Sequence, residues 1–180
     1  MIRIQTERFE VAELAELLQT RAAGRAGALV HFVGMVRDYS PDAGSRSLFL
    51  EHYPGMCERE IQALCDQAKQ RWDVLDTVVV HRVGELPLGD PIVFVGAAAA
   101  HRGQAFRACE YIIDALKTRA PFWKRETLAD GRAFWVEQQA ADAEKTARWD
   151  MPQDTPSGTF QDTPSGTSPD APRNTPPDTP

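Results

Sequence analysis

Apolar residues along this chain recur at two alternating periods, and the switches between them outline the elements. Residues 2–5 suit a short strand, and Val11, Leu14, Leu17 and Leu18 then return at helical spacing. Ala28 to Val36 reads as a buried strand that exits at Arg37 into a polar loop through Pro41 and Gly44. Leu48 to Tyr53 is strand-like, and Pro54-Gly55 opens a helix whose Ile61, Leu64, Cys65, Ala68 and Trp72 fall on one face. Thr77 to Val83 and Ile92 to Ala100 are β-branched, apolar runs, and Gly84, Pro87, Gly89 and Pro91 between them suggest two core strands with a tight connection.

The next helix presents Phe106, Cys109, Ile112, Ile113 and Leu116 as its core face and must stop at Pro121, because a residue before proline is pushed out of the α region. Phe122 to Thr127 and Arg132 to Glu137 flank Ala129-Asp130-Gly131, a hairpin signature, and residues 139–149 suit a short polar helix. Strands and helices in this order predict an α+β fold rather than a βαβ repeat, and neither G-x-G-x-x-G nor a P-loop is present.

After Asp150 the pattern is lost. Eight of the thirteen prolines lie beyond it, and Gln-Asp-Thr-Pro-Ser-Gly-Thr occurs at 153–159 and again at 161–167. Residues 1–150 are expected to form one domain and 151–180 a disordered Pro/Thr/Ser-rich tail that takes no part in chemistry, with a docking role as the alternative.

Charge sharpens the picture. The net charge is −6, yet from His101 to Arg125 six cations (Arg102, Arg107, Lys117, Arg119, Lys124, Arg125) face only Glu110 and Asp114. A basic window in an acidic protein suits a small anionic substrate and argues against nucleic acid, where phosphate neutralisation dominates affinity. Cys57, Cys65 and Cys109 are odd in number and lack C-x-x-C spacing, so they read as reduced packing residues of a cytoplasmic protein. No stretch approaches the length of a membrane span, no His, Cys, Asp and Glu share metal-ligand spacing, and no G-x-S-x-G is present. A phosphoesterase therefore lacks its machinery.

Lys117 complements a helix C-terminus in the plain reading. The forced stop at Pro121, however, turns the chain so that Lys124 can return toward it, and two ammonium groups in one cleft lower at least one pKa. An amine so tuned can act as acid, base or nucleophile. On its strand, Lys124 shares a face with Phe122 and Glu126, opposite Trp123, Arg125 and Thr127; the plain alternative is a snorkelling lysine. His101 and Arg102 stand where a strand runs into a helix, a ready phosphate site or simply a solvated helix start. Arg37 closes a strand at a loop, where ligands are often met and where arginines are often just solvated.

Several segments together resemble the large, catalytic subunit of molybdopterin synthase: Glu51-His52-Tyr53-Pro54-Gly55-Met56, His81-Arg82-Val83-Gly84-Glu85-Leu86, Val93-Phe94-Val95-Gly96, Ala100-His101-Arg102, and Leu116 through Glu126. The resemblance spans about residues 1–149. It implies an α/β hammerhead with an additional antiparallel β subdomain, a homodimer, and no cofactor or metal. It also implies a small ubiquitin-like sulfur-carrier subunit whose C-terminal Gly-Gly thiocarboxylate delivers sulfur to cyclic pyranopterin monophosphate, forming the dithiolene of molybdopterin. Lys117 and Lys124 match the family's catalytic lysines. Phe32, Met35, Val36, Arg37, His101, Arg102, Lys117, Lys124, Arg125 and Glu126 match its substrate contacts. Met35 stands where many relatives carry Lys, and Gln138 and Gln139 where an Arg can come from the neighbouring subunit, so this anion site has two fewer cations. The competing reading is a non-catalytic dimeric binding module for an anionic metabolite or a small protein's C-terminus.

Overall fold

The computed structural model describes residues 1–38, 45–136 and 140–150. The expected loop through Pro41 and Gly44, the positions Glu137, Gln138 and Gln139, and the tail 151–180 lie outside the described residues. Eight strands and four helices follow in the order β1 (Ile2–Gln5), α1 (Val11–Arg21), β2 (Ala28–Met35), β3 (Ser45–His52), α2 (Met56–Trp72), β4 (Val74–Arg82), β5 (Gly84–Pro87), β6 (Pro91–Ala99), α3 (Arg102–Arg119), β7 (Phe122–Leu128), β8 (Ala133–Val136) and α4 (Ala140–Ala147) among the described residues. They form two four-stranded sheets, β1-β4-β6-β2 and β5-β3-β7-β8. The expected α+β class, with a hammerhead-like layer and an added antiparallel sheet, is the fold observed.

The first sheet is covered on both faces, which is why β6 and the centre of β4, Val78 to Val80, read as continuous apolar runs. Side chains alternate across a strand, so Val78 and Val80 of β4 and Phe94 and Ala98 of β6 meet Leu14 and Leu18 of α1. Val79, Val93, Val95 and Ala97 point the other way, against Ile61, Leu64 and Ala68 of α2 and Ala108, Cys109 and Ile112 of α3. Leu18 comes so close to β6 that a Cβ on Gly96 would lie 2.9 Å from its Cδ2, so any larger residue there would have to push the leucine aside.

The second sheet joins the first through a smaller cluster of Val36, Leu48, Leu50, Val83 and Leu86, against which Ile92 and Phe122 pack. Here two expectations are corrected. Gly84 to Pro87 is not merely a connection between core strands. It pairs antiparallel with β3, Leu48 opposite Leu86, so the link between β4 and β6 supplies an edge strand of the second sheet. Glycine and proline mark an edge strand as readily as a turn, and the sequence pattern does not distinguish them. Phe106 is the second: it is 60% exposed, because the stripe that α3 buries runs through Ala105, Ala108, Cys109, Ile112, Ala115 and Leu116. Small alanines let the helix lie close to the sheet, and Phe106 falls one position off the stripe.

α4 lies on α3 and is fastened at its end. Trp149 is buried edge-on against Trp72 and Tyr111, with ring centroids 5.4 and 5.6 Å away, and its Nε1 donates to Asp114 Oδ2 at 3.0 Å. Trp149→Ala is therefore expected to lower stability by about 3–5 kcal/mol, the range for a buried tryptophan. Urea unfolding of the two proteins measures the difference.

Candidate active site

α3 ends at Arg119, and Ala120 adopts extended dihedrals of φ −78° and ψ 126° before Pro121. The reversal is tight. Phe122 N–H donates to Ala120 O at 2.8 Å, and the Cys57 thiol reaches Pro121 O at 3.4 Å. β7 then runs between β3 and β8, with Lys124 opposite Leu50 on one side and Val136 on the other. Phe122, Lys124 and Glu126 share a face, as the alternation predicts; Glu126 is 2% exposed.

On that face the two lysines come together. Lys117 Nζ lies 3.3 Å from Asp142 Oδ1 of α4. Lys124 is held below the ordinary lysine pKa, first by burial; the Asp142 carboxylate opposes that shift, and the Lys117 ammonium adds to it. Burial, rather than mutual repulsion, is thus the larger cause. Behind them His81 stacks on Phe122 at 4.1 Å with ring planes 16° apart. Its Nδ1 is 2.8 Å from Arg82 O, a carbonyl that can only accept, so Nδ1 carries the proton. Burial drives the His81 pKa from 6.5 to about 4, and the charges of Lys124 and His52 push the same way.

The remaining sequence candidates divide. Val36 is buried in the cluster that also receives Phe122, so the strand exit carrying Met35, Val36 and Arg37 lies at the lysine end; Met35 is exposed and Val36 spends both backbone groups on Asp90 O and Gly89 N. Phe32 is exposed at mid-strand, opposite Val95. Arg125 points to the opposite face of the sheet, where its guanidinium stacks on Phe49 at 4.8 Å and Trp135 at 5.8 Å. That face holds a groove of about 530 Å³ lined by Glu51, His52, Tyr53, Pro54, Trp123 and Trp135. His101 and Arg102 are exposed at the start of α3, with His101 N–H donating to Gln104 Oε1 at 3.2 Å. Arg102, with His101 just before it, stands fifteen residues from Lys117 along one helix, roughly 22 Å at a rise of 1.5 Å per residue. The two groups therefore stand at opposite ends of α3.

Asp142 and His81 were not singled out by sequence. His81 is hydrogen-bonded and stacked, the ordinary condition of a strand histidine. Asp142 is one acid among several in a polar helix, and no spacing sets it apart. The thiols are poor nucleophiles: Cys57, Cys65 and Cys109 are unpaired and buried, and burial pushes Cys109 up to about 12. Among the described residues no group of three or more His, Cys, Asp or Glu is arranged to hold a metal, and no helix is long and apolar enough to cross a membrane.

The family model described as MoaE protein matches residues 4–119. The chain is 46% identical over 157 residues to the molybdopterin synthase catalytic subunit of Ralstonia nicotianae, covering 87% of this chain and 88% of that one. It is 45% identical over 149 residues to the same-named subunit of Pseudomonas aeruginosa, covering 83% and 98%. Among solved structures it is similar to the molybdopterin biosynthesis MoaE protein of Burkholderia ambifaria, with a TM-score of 0.71 and 43% identity over 84% of this chain and 99% of that one.

His81 gives a pH prediction. Its folded pKa is depressed, so between about 6.5 and about 4 the unfolded chain binds a proton that the folded one refuses, and stability falls as pH drops through that window. Above pH 6.5 this contribution is intact. Denaturant melts from pH 7 to 4 are expected to show a shallower loss in His81→Leu than in the parent, the difference reaching the order of 3 kcal/mol.

Proposed function

The chain belongs to the MoaE family, and from that premise we propose that it is the catalytic subunit of a molybdopterin synthase, a sulfurtransferase of molybdenum cofactor biosynthesis. Its partner is a small ubiquitin-like carrier ending in a Gly-Gly thiocarboxylate, and its substrate is cyclic pyranopterin monophosphate. The observation that carries this reading is the pairing of Lys117 with Lys124 at the Pro121 turn, one half-exposed and held by Asp142, the other desolvated.

Both reactants are anions, and both are served by an amine cluster in an otherwise acidic protein. In each transfer sulfur leaves the carrier's acyl carbon for a pterin carbon, that carbon gives up a bond to oxygen, the oxygen leaving protonated, and oxygen from water restores the carrier's carboxylate. Charge builds on oxygen and sulfur as this happens, and a positioned ammonium stabilises it. Lys124, already inclined to lose its proton, suits proton exchange with the reacting centre near neutral pH. Lys117 suits a proton-transfer step at the carrier's terminus. No thiol of this chain is needed, since the sulfur arrives on the partner. The buried, unpaired cysteines fit a reducing, cytoplasmic setting.

The distance along α3 supports a homodimer. His101 and Arg102 lie too far from their own Lys117 to share a ligand with it, so in this proposal they hold the substrate phosphate beside the lysines of a second copy, with Arg37 at the strand exit. Arg125, turned away and stacked between aromatics, braces the second sheet in this arrangement, while Glu126 backs Lys124.

Mixing this protein with a thiocarboxylated carrier and the cyclic pterin is expected to yield the dithiolene. Lys117→Ala is expected to cut product formation by about 10²–10⁴-fold, the usual worth of a positioned acid or base, with carrier affinity changed little. Lys117→Arg keeps the charge but cannot release a proton, so it too should be inactive. A binding module without catalysis would tolerate arginine and give no dithiolene from any variant.

A further inference from the structure

α4 is bound to α3 by more than contact. Thr146 Oγ1 lies 3.0 Å from the carbonyl oxygens of both Asp114 and Asp142 and 2.8 Å from Thr118 Oγ1. Arg148 pairs with Glu110 at 2.7 Å and Asp114 at 2.6 Å, and Trp149 locks the end. One turn before Thr146, this rigid scaffold delivers Asp142, whose side chain is 16% exposed, to the Lys117 ammonium at 3.3 Å. A carboxylate held so firmly is a fixed part of the cleft rather than a passing surface contact.

We propose that Asp142 is a positioning residue of the active site: its carboxylate fixes the Lys117 ammonium and shares its negative charge with Lys124 until the anionic carrier terminus arrives. The assignment of the carrier rests on the function proposed above; the coupling of Asp142 to the lysines does not. Further charged groups stand around the cleft. On α3, Glu110 and Asp114 are engaged by Arg148 of α4. On β4, His81 is neutral above about pH 4, and His52 of β3 lies behind it. Glu126 of β7 is on the same face, deeply buried, and Lys145 of α4 adds a further cation. Among the described residues, Asp142 is the acid whose charge acts on Lys124 against the pull of burial.

Two measurements on the full chain test this. In Asp142→Asn the alkaline limb of kcat/KM is expected to move down by about one pH unit, the scale of losing a nearby opposite charge, and Asp142→Glu is expected to restore it. Without carrier or pterin, competitive acetylation across pH, read peptide by peptide by mass spectrometry, should show the Lys124 midpoint falling in Asp142→Asn. An unchanged limb and unchanged midpoint overturn the proposal, even if turnover drops, because a merely structural role would slow the enzyme without moving either. A midpoint that shifts in a protein whose parent forms no dithiolene upholds the coupling and removes the sulfur-transfer reading instead.

Discussion

Proline cannot extend the helix that precedes it, and in this chain that steric limit falls between the two lysines of the cleft. Because α3 stops at Arg119, the chain reverses within two residues, and Phe122 drops into the cluster that joins the two sheets. That anchorage sets the register of β7, and the register sets the face on which Lys124 emerges. A one-residue slip would send Lys124 outward and bring Trp123 and Arg125 inward. The chemistry of the cleft is thus tied to a packing constraint: the ring of Phe122, stacked on His81 and seated beside Ile92, decides where an amine sits.

Electrostatics follow from this placement. Burial weakens the hold of Lys124 on its proton, Lys117 weakens it further, and Asp142 restores part of it. His81 adds no charge at neutral pH, since its surroundings keep it unprotonated down to about 4. The outcome is a cationic cleft whose charge is poised rather than maximal, set in a protein of net charge −6. Such a site attracts an anion and can still move a proton once the anion is bound.

Much of this was legible in the sequence because it rests on periodicity and on proline. The alternation that placed Lys124 with Phe122 and Glu126, the helical stripe of α2, and the stop at Pro121 each follow from local rules that tertiary packing then obeys. Other features depend on what lies opposite. Gly84 to Pro87 becomes a strand because β3 offers it a partner, and Phe106 is exposed because alanines, poor signals of burial by themselves, form the true contact stripe. Asp142 reaches the lysines only through the docking of α4, which Trp149 secures across a distance in sequence that no short motif spans. The separation of His101 and Arg102 from Lys117 follows from helix length, which sets the two groups at opposite ends of α3.

The most direct test of the cleft is the titration of its half-buried amine, Lys124. The chain has four lysines, Lys69, Lys117, Lys124 and Lys145, few enough to resolve by NMR after labelling their ε-carbons. One resonance, absent in Lys124→Arg, is expected to titrate with a midpoint below the ordinary 10.5. If the Lys124 resonance instead titrates at that ordinary value, Lys124 faces open solvent and the cleft described here does not exist.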